Sequence, residues 1–133
     1  MNAKRKTTKQ RHQPAQFFDR ELSWVEFNAR VLGEALKPEL PPLERLKFLS
    51  IVSSNFDEFF MVRVAAVKSW PETATSLAGM MPAETLQAIS ERVRDTIAKQ
   101  YKCLLDDVLP ALSKRVKFSK PAEYNATQRQ FVQ

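Results

Sequence analysis

Two glycines in 133 residues constrain this chain more than any other feature. Tight hairpin turns need backbone angles that glycine adopts at least strain, and loops that wrap phosphates need its bare backbone. Strand-rich folds and glycine-loop nucleotide folds therefore lack their raw material. Hydrophobic residues make up 44% of the chain, enough for a real core. The length suits one domain, or one domain and the beginning of another. The expectation is an all-α fold: a compact bundle of about four helices, one of them long and C-terminal.

The formal charge of +6 suggests a polyanion partner until it is located. Residues 1–16 carry Lys4, Arg5, Lys6, Lys9 and Arg11 with no acidic residue, and the remainder holds 16 basic and 15 acidic side chains. The basic character belongs to a leader, expected to be disordered for want of apolar groups. That leader reads either as a solvated tail or as a weak contact to nucleic acid or polyphosphate. A folded nucleic-acid reader would carry a basic face instead, so no specific nucleic-acid partner is expected. No apolar segment after the leader resembles a secretory signal, and no run of about 18 apolar residues could span a membrane.

Cys103 is the only cysteine and His12 the only histidine. One thiol in an apolar helical stretch reads as buried and inert, consistent with a reducing cytoplasm. With His12 in the leader, the folded part has no imidazole for acid–base, metal-ligating or phosphate-accepting work. No catalytic and no metal-binding residue is assigned.

Proline and capping residues divide the rest. Ser23-Trp24-Val25-Glu26 has the form of a capping box, with Leu22 and Phe27 at the staple positions. Trp24, Phe27, Val31 and Ala35, widened by Leu32 and Leu36, form an apolar stripe, and Pro38 predicts a stop near Lys37. Pro42 suits the first turn of a second helix. Leu43, Leu46, Leu49 and Ile51 or Val52 would face inward there, and Glu44, Arg45 and Lys47 outward. Ser53-Ser54-Asn55 interrupts the pattern, so a third helix is expected from Asn55 as N-cap, with Asp57 and Glu58 in its first turn, ending before Pro71. A loop over residues 69–82 precedes a helix from Ala83 to about Leu109, some 40 Å long, marked by Leu86, Ile89, Val93, Ile97, Tyr101 and Val108 and closed by Pro110. Val116-Lys117-Phe118 has the character of a short strand, and Asn125-Ala126-Thr127-Gln128 of another capping box. The expected organisation is a leader over 1–16, a helical domain over 17–110, and a linker with the truncated start of a further domain over 111–133.

Ser53-Ser54-Asn55-Phe56-Asp57-Glu58-Phe59-Phe60, continuing to Arg63, is the densest chemistry in the chain. It reads either as a capped helix start whose phenylalanines fill the core, or as a recognition edge on which the Asn55 amide meets a base. Adjacent Asp57 and Glu58 point in different directions on a helix and make a poor metal pair.

Three ordered blocks then carry a resemblance. Glu21-Leu22-Ser23-Trp24-Val25-Glu26-Phe27-Asn28-Ala29-Arg30-Val31-Leu32, Leu43-Glu44-Arg45-Leu46-Lys47-Phe48-Leu49-Ser50-Ile51, and Ser54-Asn55-Phe56-Asp57-Glu58-Phe59-Phe60-Met61-Val62-Arg63-Val64 closely resemble the opening of the long, multidomain polyphosphate kinases. The likeness covers about residues 18–68. It implies an enzyme that reversibly transfers the terminal phosphate of ATP to inorganic polyphosphate through a phosphohistidine, with Mg2+. It implies a helical N-terminal domain before head and catalytic domains, in a homo-oligomer of the cytoplasm, with scope for peripheral membrane association. Within that family the Asn of the third block is a nucleotide-binding residue, here Asn55. Asp57, Glu58 and Arg63 read as structural, Arg63 as an ion-pairing partner at helical spacing. The leader is longer and more basic than the family minimum. Alone, the chain is expected to lack kinase activity and to bind no cofactor. The alternative reading is a structural helical interaction module without ligand contact.

Overall fold

A computed structural model describes residues 18–132; the basic leader and His12 lie outside them. The described residues are helical with no strand among them, in the order α1 (Arg20–Ala35), α2 (Pro42–Glu58), α3 (Ala65–Lys68), α4 (Pro82–Lys102), α5 (Leu109–Ser113) and α6 (Ala126–Val132). Two wide π-helical segments, Phe59–Val64 and Cys103–Val108, join α2 to α3 and α4 to α5 without a break. The described residues therefore form three long rods, a 3-10 turn at Pro121–Glu123 and a short last helix, the all-α bundle expected. No helix among the described residues is long and apolar enough to cross a membrane.

The first helix starts earlier than its sequence signals. Asp19, not Ser23, is the N-cap: its carboxylate accepts from the amides of Glu21 and Leu22 at 2.9 and 3.0 Å. A carboxylate here also complements the positive end of the helix dipole. Ser23 is inside the helix, its hydroxyl donating to Asp19 O at 2.7 Å. The exit after Ala35 agrees with the Pro38 signal, and Pro42 opens α2 as expected.

The interruption expected at Ser53-Ser54-Asn55 does not occur, and α2 runs through it. Val52 and Phe56 keep the buried stripe at four-residue spacing across these polar residues. Ser53 Oγ is occupied by an amide proton of Gln100 at 2.7 Å, so it has no reason to break the backbone ladder. Asn55 is consequently not an N-cap, and Asp57 and Glu58 are not in a first turn.

Nor does Pro110 end its helix. The rod continues to Ser113 because Pro110 lies in the first turn after the second π segment, with Leu109 between them. There the i→i−4 ladder is already abandoned and the wider turn leaves room for the ring. Val116–Phe118 is irregular rather than a strand. The Asn125–Gln128 box forms: Gln128 N donates to Asn125 Oδ1 at 2.8 Å and Asn125 N to Gln128 Oε1 at 2.9 Å. In the 69–82 loop, Gly79 takes φ 81°, the left-handed conformation glycine permits.

The core lies where α1, α2 and α4 meet, with Val25, Leu32, Leu49, Val52, Phe56, Phe59, Ile89, Val93 and Val108 at its centre. The inner stripe of α1 is Val25, Asn28, Leu32 and Ala35, so Phe27 and Leu36 turn outward. Leu43, Ile51 and Tyr101 are likewise exposed. Arg45, expected outside, is 8% exposed. Its Nε donates to Ala35 O at 2.7 Å, supplying a donor to a carbonyl at the end of α1.

Candidate functional site

Between α1 and the π segment that leaves α2 runs an open groove of about 400 Å³. Its position follows from a shift in packing phase. Buried residues along the second rod recur as Arg45, Leu49, Val52, Phe56 and Phe59, and the next is Val64. That five-residue step is the π insertion. It keeps Phe59 and Val64 inward and pushes Phe60, Met61 and Val62 outward. Phe59 is thereby presented to α1, where it stacks on Trp24 with centroids 4.5 Å apart and planes within 6°. Phe60 meets Phe59 edge-on at 5.9 Å. These offset and edge contacts are favourable aromatic geometries and give the groove a rigid wall. Phe27, 48% exposed, also lines the groove, with the Arg30 guanidinium 5.9 Å from its ring.

The charged groups of the groove largely cancel. Glu21 is 2% exposed and accepts from Arg20 Nε and Nη2 at 2.9 and 2.8 Å and from Arg63 Nη1 at 3.3 Å. Arg63 thus pairs across helices with Glu21, not with the acidic residues of its own turn. Glu58 adds a second carboxylate to the lining. Two guanidiniums facing two carboxylates make a weak receptor for a triphosphate but leave room for an apolar, hydrogen-bonding group such as a base.

Asn55 lines this groove and is half-buried. Its Nδ2 donates to Asn28 Oδ1 at 3.0 Å, and Asn28 Nδ2 donates in turn to Val52 O at 3.1 Å. Asn28 is wholly buried. Sequence reasoning named Asn55 but missed Asn28 and Glu21. The signal available for Asn28 was a polar residue three positions from Val25 and four from Leu32, inside an apolar stripe.

Among the described residues no group of three or more His, Cys, Asp or Glu side chains is placed to hold a metal. Cys103 is buried, its Sγ 3.3 Å from Arg45 Nη2. Outside the groove, the Arg92 hydrogen bond holds the Glu26 carboxyl below its ordinary range, and Lys99 does the same for Asp95.

Comparison with known proteins adds the family context. The polyphosphate kinase N-terminal domain family matches residues 17–118. A polyphosphate kinase of Mycolicibacterium gilvum is 49% identical over 100 residues, covering 73% of this chain and 14% of that protein. One from Halalkalibacterium halodurans is 42% identical over 127 residues, 92% of this chain and 18% of that protein. The crystal structure of polyphosphate kinase from Porphyromonas gingivalis matches with a TM-score of 0.59 at 33% identity, over 90% of this chain and 18% of that one. The chain spans less than a fifth of the length of each of these relatives.

Proposed function

This chain belongs to the polyphosphate kinase N-terminal domain family, and we propose that its groove forms part of the wall that holds the adenine of ATP in such a kinase. The reaction is the reversible transfer of the terminal phosphate of ATP to inorganic polyphosphate. In this reading the phosphohistidine and the Mg2+ site belong to head and catalytic domains outside this chain, and the kinase is a homo-oligomer of the cytoplasm. The chain contributes base recognition and domain contacts.

The observation that carries the reading is the setting of Asn55. It sits within a helix, so capping does not account for it, and its amide keeps an oxygen without a hydrogen-bond partner among the described residues, beside an aromatic wall. The near-cancelled charge supports a base-facing role over a phosphate-facing one. A second reading, a structural interaction module, draws support from the exposed Phe60, Met61 and Val62.

Asn55→Ala in the full-length kinase separates the two. It strips the buried Asn28 oxygen of its donor, so some stability is lost under either reading, about 1–3 kcal/mol. The nucleotide-contact reading adds a rise of about five-fold in KM for ATP, the worth of one hydrogen bond, measured well below the melting temperature. An unchanged KM in a folded variant leaves the interaction module standing. ATP-dependent polyphosphate formation by the 133-residue chain alone would overturn the division of labour.

A further inference from the structure

The two asparagines form a hydrogen-bond chain with a direction. Val52 O can only accept, so Asn28 must turn its Nδ2 toward it, at 3.1 Å. That choice aims Asn28 Oδ1 at Asn55, and an oxygen there demands a donor, which Asn55 Nδ2 supplies at 3.0 Å. The opposite orientation of either amide would bring two oxygens or two NH2 groups together in a buried setting. The Asn55 amide is therefore locked with its oxygen as the unengaged acceptor at the groove.

We propose that Asn28 is a positioning residue that sets Asn55 with its carbonyl oxygen toward the ligand, so that the groove selects a base bearing an exocyclic amine, adenine, over one bearing a carbonyl at that place, guanine. The inference rests on the reading of Asn55 as a nucleotide contact. A fixed acceptor takes an N–H of the adenine amine and opposes the guanine oxygen. An asparagine free to rotate would offer NH2 to guanine equally well. Discrimination resides in the immobility of the amide, and Asn28, wholly buried and remote from solvent, supplies it. A site built to hydrogen-bond a substrate group rejects strongly the analogue that leaves the site's polar atoms unpaired.

The test compares ATP with GTP in the full-length kinase by KM and kcat. Asn28→Leu removes the acceptor and frees Asn55. The expected result is a fall in the ATP-over-GTP preference of about five-fold or more, carried by KM rather than kcat. Asn28→Asp keeps an oxygen facing Asn55 and is expected to retain the preference while melting lower. Asn55→Ala serves as reference. If it leaves KM for both nucleotides unchanged, the contact reading itself fails. If it shifts them while a folded Asn28→Leu keeps the wild-type preference, the positioning role alone fails. An Asn28→Asp protein that loses preference as far as Asn55→Ala also overturns it. Should Asn28→Leu not fold, NMR of the 15N-labelled wild-type chain decides. The Asn55 side-chain NH2 is expected to exchange slowly with solvent, and exchange as fast as an exposed asparagine overturns the lock.

Discussion

Arg45 shows how much one buried side chain can hold. Its Nε bonds Ala35 O at the end of α1, and its Nη2 reaches Cys103 Sγ and Asp107 Oδ2, each at 3.3 Å. The guanidinium thus ties together the exit of α1, the start of α2 and the π segment after α4. Replacing it with a chain of similar apolar volume removes every one of these bonds. Arg45→Met is expected to lower unfolding free energy by about 1–3 kcal/mol in urea denaturation, and Arg45→Lys to recover little, because an ammonium lacks the planar fork. A loss under about 0.5 kcal/mol for Arg45→Met, within the range of an ordinary surface change, would contradict this account. Arg45 was misplaced from sequence for a simple reason. An arginine beside Glu44 and Lys47 reads as a solvated face, and its partners lie 10, 58 and 62 residues away.

At the scale of elements the recurring device is a five-residue step in the buried stripe. It occurs from Phe59 to Val64 and again from Cys103 to Val108, in each case across a π segment. Both rods keep one face on the core over a length at which a regular helix would drift off it, by taking up one residue locally. The first step builds the groove and the second admits Pro110. Continuity of α2 through Ser53-Ser54-Asn55 is directly testable. Ser54→Pro in a true interruption would be tolerated, whereas within a helix it costs about 3 kcal/mol or more. Circular dichroism and thermal unfolding are expected to show that larger loss; an unchanged melting temperature would restore the broken-helix description. Helix existence was legible along most of the chain from proline positions and apolar spacing. Helix boundaries were not, because serine and asparagine cap helices and also lie within them.

The whole molecule is braced on its surface by a pair joining α1 to α4, where Arg92 Nη2 lies 2.8 Å from Glu26 Oε2, continued along α4 by Asp95 and Lys99 at 2.7 Å. The Glu26 carboxyl is held below its ordinary value by the Arg92 hydrogen bond first, then by the charges of Arg92 and Arg30 against desolvation and Asp95. A depressed folded-state pKa contributes stability that is present above the unfolded carboxylate value, near 4.5. That contribution disappears as pH falls through the lower folded value. Arg92→Ala is therefore expected to reduce stability at neutral pH and to flatten its decline between about pH 5 and 3. The exposed setting keeps the effect small and makes it shrink as salt is raised. Melting temperatures across pH at two ionic strengths check this, and an equal loss at pH 3 and pH 7 would count against it.

By itself the sequence determined an all-α fold for the described residues, the presence of helix along most of them and, through three ordered blocks, the family. Those depend on local chemistry: scarce glycine, placed prolines, apolar periodicity. Only the tertiary structure decided which face of each rod turns inward, because a stripe of helical period leaves its phase open to one residue and a π insertion resets that phase midway. With the phase came the partners. Asn28 meets Asn55 across 27 residues and Glu21 meets Arg63 across 42. The groove takes its shape from such contacts, the Trp24–Phe59 stack among them: Asn55 could be named from its motif, but the direction of its amide is set by Asn28, a residue on another helix.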